Sequence, residues 1–248
     1  MRLAVFDLDN TLLSGDSDYL WGQFLADGGY VDADQYAHAN RRFYEQYLAG
    51  ELDIAEFAAF SLRPLIELGA PSLAALRPRF VRDKIAPIVS EQAYALLERH
   101  RADGDTLLIT TATSRFITEP IAELLGVEHL IATDPEVIDG VYTGRIAGTP
   151  NFQGGKCIRL RQWIEAAAAP VTHMTAYSDS RNDVPLLEMA DVQIAVDPDP
   201  VLRDIRARIE ALEAAPVPAP AAASAAPAAA PAAPTAAAAD DGAACVIS

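Results

Sequence analysis

The sequence predicts an α/β fold, a doubly wound parallel sheet with an inserted helical cap. Two observations predict it. Along residues 1–213, short apolar runs alternate with segments of helical periodicity, the pattern of parallel strands joined by helices. Residues 16–88 interrupt that alternation with helix after helix, and 10 of the 18 aromatic residues fall within positions 19–60. That stretch reads as a separate module inserted after the first strand. The expected division is therefore a core of residues 1–15 and 89–213 and a helical cap of 16–88.

Taken in order, residues 3–6 form a buried strand. Asp16 or Ser17 caps a helix carrying Tyr19, Leu20, Phe24 and Leu25. Tyr36, Phe43, Tyr44, Tyr47 and Leu48 recur at helical spacing, as do Ile54, Phe57, Leu65 and Ile66. Ser90 caps a helix with Ala93, Leu96 and Leu97. Residues 106–111 are a second strand and 116–125 a helix stopped by Gly126. Residues 130–132 are a third strand, and Asp139-Gly140 turns a hairpin between Val137-Ile138 and Val141-Tyr142. A helix over 158–164, a strand over 171–177, a helix over 183–189 and a strand over 192–196 follow. Leu202, Ile205, Ile209 and Leu212 stripe a last helix. The crossings between core and cap, at 13–15 and 86–89, are short and contain Gly15 and Pro87. Movement of the cap about them is expected.

Composition narrows the function classes. The 248 residues are 51% hydrophobic, enough for a substantial core. No apolar run is long enough to span a membrane. Residues 1–6 meet Asp7 too early for a secretory h-region, which points to the cytosol. Two cysteines make no disulfide framework, and four dispersed histidines give no zinc signature. A net charge of −16 argues against nucleic-acid binding, which draws on Lys and Arg. Residues 214–239 consist of 17 Ala, 6 Pro and one each of Val, Ser and Thr. Six prolines break any helix there, so an extended linker is expected.

The chemistry-bearing residues lie where strands end. The first run leads into Asp7-Leu8-Asp9-Asn10-Thr11. One Asp at such a place commonly caps a helix. Two, separated by one residue, repel each other unless a cation lies nearby. The second strand ends at Thr111, before Ala112-Thr113-Ser114-Arg115, where a hydroxyl and free helix amides can hold a phosphate oxygen. Lys156 opens a helix in Gly154-Gly155-Lys156. A later strand leads into Ser178-Asp179-Ser180-Arg181-Asn182-Asp183. Each of these last three fits an ordinary cap or surface residue by itself; the ordered set of four does not.

That set resembles the haloacid dehalogenase superfamily of Mg²⁺-dependent phosphatases, over residues 1 to about 213. The helical insert resembles the cap of phosphoserine phosphatases. Phe6 to Leu13, Gly15-Asp16-Ser17-Asp18, Phe43-Tyr44, Gly50-Glu51-Leu52-Asp53 and Tyr177-Ser178-Asp179-Ser180 are similar to a bacterial phosphoserine-phosphatase-like or histidinol-phosphatase-like branch. Ser114 departs from it, Asn being expected there. The resemblance implies Asp7 as nucleophile and Asp9 as general acid and base. It implies Mg²⁺ on the carboxylates of Asp7 and Asp179 and the backbone carbonyl of Asp9. Thr111 and Lys156 would hold phosphoryl oxygens, and Asp183 would orient the metal site. By motif offset, Asp16 stands at the acidic substrate position. Asp16 or Asp18 is then a partner for an ammonium or imidazolium, and Arg63 for a carboxylate. Arg63 in the pocket favours phosphoserine as substrate; Arg63 outside it favours a cationic ester such as histidinol phosphate.

The expected partner is a small phosphate ester, with neither nucleic acid nor membrane. Two alternatives stand beside hydrolysis: a phosphotransferase or broad-specificity housekeeping phosphatase with the same first step, and a non-catalytic binding protein. The complete motif set speaks against the last. The chain ends in Cys245-Val246-Ile247-Ser248, which matches a prenylation box in form. No basic residue precedes it in the tail. Residues 240–248 are instead read as an edge strand returned to the sheet by the Ala/Pro linker.

Overall fold

A computed structural model of the protein describes residues 1–205. At its centre is a five-stranded, all-parallel sheet in the order β3-β2-β1-β6-β7. The strands are β1 (Arg2–Phe6), β2 (Thr106–Ser114), β3 (His129–Thr133), β6 (His173–Ser178) and β7 (Val192–Ala195). From β1 the sheet grows through β2 and β3 on one side and through β6 and β7 on the other. A crevice therefore opens beside the carboxyl end of β1, where open α/β sheets bind ligands.

The two faces of the sheet are buried separately. Ala4 and Phe6 of β1 enter one cluster with Ala93 and Leu97 of α5 (Glu91–Ala102) and Phe116, Ile117 and Ile121 of α6 (Arg115–Leu124). Leu3 and Val5 enter the other with Cys157 and Leu160 of α7 (Gly154–Ala166) and Leu186 and Leu187 of α8 (Val184–Leu187). Strand periodicity of two sends alternate β1 residues to opposite helix layers, as doubly wound burial requires.

Four helices lie between β1 and α5: α1 (Ser17–Asp27), α2 (Ala33–Ala49), α3 (Ile54–Ser61) and α4 (Arg63–Phe80). The first three start on Asp caps: Asp16 accepts from the Tyr19 amide, Asp32 from Gln35, and Asp53 from Ala55 and Glu56. The helical spacing read across Ile54–Ile66 is divided at Leu62, because Pro64 fits the first turn of a new helix. Gly69, at φ 68° and ψ 162°, then interrupts α4. A π-helical turn (Val81–Ile85) and a 3-10 turn (Ala86–Ile88) lead back to the core.

The insert has an aromatic centre of its own, with Phe43 5.1 Å from Phe60 and 5.4 Å from Phe57. It is also joined to the core: Trp21 of α1 stands 5.5 Å from Phe116 of α6 and 5.1 Å from Phe80 of α4. The two crossings are bonded to each other, the Ser14 amide donating 2.9 Å to the Ile88 carbonyl beside a Leu13–Val89 bridge.

Other elements differ from expectation in detail. β2 continues to Ser114, with a register shift against β3 between Thr110 and Ser114. The expected helix over 183–189 is a 3-10 turn (Arg181–Asp183) followed by the short α8. The hairpin forms from β4 (Pro135–Ile138) and β5 (Val141–Ile146), with Asp139 and Gly140 at φ 52° and 79°, as a type I′ turn requires. Residues 200–205 are helical, capped by Asp199 accepting from the Val201 and Leu202 amides. Ile209, Leu212, the Ala/Pro segment and the C-terminal Cys245-Val246-Ile247-Ser248 lie outside the described residues. Among the described residues, no helix is long and apolar enough to cross a membrane.

Candidate active site

The site is built at the carboxyl end of β1. The Asp7 amide extends the ladder by donating 2.9 Å to the Tyr177 carbonyl. Leu8, Leu12 and Leu13 are buried, and the Leu8 carbonyl accepts from the amides of Leu12 and Leu13. The chain is thus pinned by Leu8, with Asp7 and Asp9 lining the crevice. Asn10 turns the backbone at φ 57°, a left-handed conformation that Asn tolerates better than most residues.

Four further elements converge there. Lys156 of α7 is buried, and its ammonium donates to Asp7 Oδ1 at 2.6 Å and to Asp183 Oδ2 at 2.7 Å. Asp183 also accepts from Ser178 Oγ at 2.8 Å. Asp9 Oδ1 accepts from the Ser17 amide at 2.6 Å; its Oδ2 accepts from Thr113 Oγ1 at 2.9 Å and Thr111 Oγ1 at 3.4 Å. Asp179 accepts from Thr11 Oγ1 at 3.3 Å. The structure therefore brings together Asp7, Asp9, Thr111, Lys156, Asp179 and Asp183.

The cavity above them is lined by Asp16, Asp18 and the aromatic rings of Tyr19, Phe43, Tyr44, Tyr47, Phe57 and Phe152. Arg63 is not part of this lining. It lies half-exposed on α4, its guanidinium 3.5 Å from Glu67 one turn on. Of the two placements expected for Arg63, the structure has the one outside the lining, in an i,i+4 ion pair on the helix surface. Lys156, at the nucleophile end, is the one cationic lining residue among those described.

Several contributors escaped the sequence reading. Thr113 makes a shorter contact to Asp9 than Thr111 does. Asn151, fully buried, donates to Thr110 Oγ1, the Thr111 carbonyl and the Ile131 carbonyl, tying β2 to β3 beneath Thr111. Tyr47 carries its ring to 6.3 Å from Phe152 and lines the cavity. None of these contacts has a periodic signature; the polar run Ala112-Thr113-Ser114 was the only hint.

The electrostatics are those of a crowded anionic site. Burial opposes the charge on Lys156, but Asp183 and Asp7 overcome it and hold the ammonium above its ordinary pKa. Burial, with Asp183 and Asp179 adding, pushes Asp7 well above the usual carboxylate range in spite of Lys156. Burial pushes Asp179 up to about 7, with Asp183 adding to it. Burial pushes Asp16 up to about 7 as well, with Asp9 adding.

A hard divalent cation fits this donor set. Asp7, Asp9, Asp179 and Asp183 face a single ammonium, so negative charge is in excess. Among the described residues no three Asp, Glu, His or Cys side chains form a ready cage. Mg²⁺ needs none, since it characteristically takes one or two carboxylates and completes its shell with phosphate and water.

A family model described as haloacid dehalogenase-like hydrolase matches residues 4–188. The chain belongs to that family. The histidinol-phosphatase of Neisseria meningitidis serogroup C is 39% identical over 202 residues, covering 80% of this chain and 91% of that protein. Phosphoserine phosphatase SerB1 of Mycobacterium tuberculosis is 30% identical over 205 residues, covering 82% and 67%. A crystal structure of a Bordetella pertussis Tohama I protein of unknown function matches with a TM-score of 0.78 at 46% identity, covering 84% and 95%. A phosphoserine phosphatase held as a phospho-aspartyl intermediate analogue shares the fold, with a TM-score of 0.62 at 17% identity over 85% of this chain and 98% of that one. Family and relatives together make this haloacid dehalogenase-like chain a phosphatase.

Proposed function

We propose that the protein is a Mg²⁺-dependent phosphomonoesterase working through an aspartyl-phosphate on Asp7, with histidinol phosphate or a closely similar cationic ester as substrate. The observation that carries the substrate class is the pocket lining: two acids and an aromatic wall, with Arg63 turned away. Similarity to a histidinol-phosphatase supports it.

In this reading residues 16–88 act as the cap over a core of 1–15 and 89–213. Asp7 attacks phosphorus while Asp9 gives a proton to the departing alcohol oxygen. Asp9 then takes a proton from water, which attacks the phosphorus of the aspartyl-phosphate and frees Asp7. The donors from Ser17, Thr113 and Thr111 fix the orientation of the Asp9 carboxylate. Lys156 and Thr111 hold the phosphoryl oxygens, and Asp183 anchors Lys156. Asp7, Asp179 and the Asp9 carbonyl would hold Mg²⁺, which when bound offsets the charge of the carboxylates and the phosphate.

The test is phosphate release from histidinol phosphate, phosphoserine and phosphoethanolamine with Mg²⁺ present. Histidinol phosphate is expected to lead in kcat/KM; phosphoserine leading would overturn the substrate assignment. Arg63→Ala is expected to change kcat/KM on histidinol phosphate by less than about fivefold, since an exposed ion pair contributes at most about 1 kcal/mol. A loss of a hundredfold would return Arg63 to the pocket.

Metal binding should also show in stability. The raised carboxyls of Asp16 and Asp179 keep protons in the folded chain that the unfolded chain has already released. Without metal, their contribution is therefore lost as pH rises from about 4 through about 7. Bound Mg²⁺ competes with the proton on Asp179. Added Mg²⁺ is expected to raise Tm more at pH 7.5 than at pH 5, as read by thermal melts in EDTA and in Mg²⁺. An equal rise at both pH values would refute the linkage.

A further inference from the structure

The motif offset points to Asp16 as the acid that meets the substrate's cation, but the geometry separates two acids with different surroundings. Asp16 is the N-cap of α1, and its Oδ1 accepts from the Tyr19 amide at 2.8 Å. It directly precedes Ser17, whose amide lies 2.6 Å from Asp9 Oδ1. Asp16 thus stands at the nucleophile end of the cavity, with one oxygen already committed.

Asp18 is placed otherwise. It lines the same cavity, is half-buried, and accepts no hydrogen bond from any described residue. Gly22, four residues on, shares its side of α1. A Cβ at Gly22 would stand 2.4 Å from Tyr36 and 3.0 Å from Asn40, so this side of α1 is pressed onto α2. Asp18 therefore lies on the side of α1 that faces α2. One turn beyond Asn40 on α2 is Tyr44, which lines the cavity with its ring 5.7 Å from Tyr19. Burial, with Asp16 and Asp9 adding, pushes the Asp18 carboxyl well above its ordinary range.

We propose that Asp18, with the rings of Tyr44 and Tyr19, binds the distal aromatic cation of the substrate, leaving Asp16 to the ammonium nearer the phosphate. The proposal rests on the cationic-ester reading above and deepens it. An unpaired, partly desolvated carboxylate costs stability until a cation meets it, and aromatic faces add to the attraction for a flat cation. An acidic first-turn residue also favours the helix dipole, but that role needs neither the pocket nor the rings.

The experiment compares kcat/KM for histidinol phosphate, which carries an ammonium and an imidazole, with that for phosphoethanolamine, which carries the ammonium alone. Wild type is expected to prefer the first. Asp18→Asn is expected to lower that preference at least tenfold, mainly through KM, and Asp18→Glu to restore part of it. Asp18→Ser gives the same reading if Asn disturbs α1. An unchanged ratio in a folded variant, or an equal loss on both esters, overturns the Asp18 assignment while leaving the cationic-ester reading intact. Wild-type enzyme that hydrolyses neither ester removes that reading, and the Asp18 assignment with it.

Discussion

Asp7→Asn is expected to abolish turnover, lowering kcat by more than about 10⁴-fold, the scale of losing a covalent nucleophile. An amide of the same shape keeps the fold but cannot form the acyl-phosphate. The substitution also changes the balance around Lys156, which now donates to Asp7 Oδ1 at 2.6 Å and to Asp183 Oδ2 at 2.7 Å. The Asn oxygen can accept the first bond, and Asp183 keeps the second, so the ammonium stays paired. Burial holds the Asp7 carboxyl well above its ordinary range, so removing its charge should leave Tm unchanged or raise it. Single-turnover phosphate release, with mass spectrometry for the phosphorylated chain, checks the prediction. Activity within tenfold of wild type in a folded variant would assign the nucleophile elsewhere.

Much of the fold was legible because its signals are local. Four apolar residues running into Asp7 mark a buried strand and its carboxyl end together. Ser90 caps the helix it was expected to cap, Asp16 is the one of the two candidates Asp16 and Ser17 that caps α1, and Asp139-Gly140 supplies the two left-handed residues of its turn. Asp7, Thr111 and Asp179 gather because each stands at the end of a parallel strand, and parallel strands place such ends on one edge of the sheet, while Lys156 reaches them from the first turn of α7.

What stayed hidden depends on contacts across the sequence. Thr113 and Asn151 act through hydrogen bonds to one carboxylate and to two neighbouring strands, which leave no periodicity behind. The division between α3 and α4 follows from Pro64, yet the apolar spacing runs through it unbroken. The placement of Arg63 stayed open because offset from a motif fixes position along a chain, not the side of a helix. Glu67, four residues on, was the sign that its guanidinium had a partner outside the pocket.

Lys156→Ala is expected to damage both catalysis and stability, and the two effects can be separated. Its ammonium is the one cation touching both Asp7 and Asp183, and all three side chains are buried. Removing one member of a buried ionic set leaves the others unpaired, at a cost of about 3–5 kcal/mol. For a chain of this size that lowers Tm by roughly 6–20 °C, at 2–4 °C per kcal/mol. Part of the loss is recoverable, because the Asp7 carboxyl, which burial already holds well above its ordinary range, can take up a proton in place of the ammonium. The variant should therefore lose less stability at pH 5 than at pH 8, the reverse of an exposed ion pair broken by acid. In catalysis, removing a donor that meets developing phosphoryl charge should lower kcat by about 10²–10³-fold. Asp183→Asn sharpens the comparison: it leaves Lys156 bonded to Asp7 and removes one excess negative charge. If Lys156 serves only as a structural tie, the two variants should lower kcat alike. If it meets the phosphoryl group, Lys156→Ala should exceed Asp183→Asn by at least tenfold, as measured at saturating substrate in matched Mg²⁺.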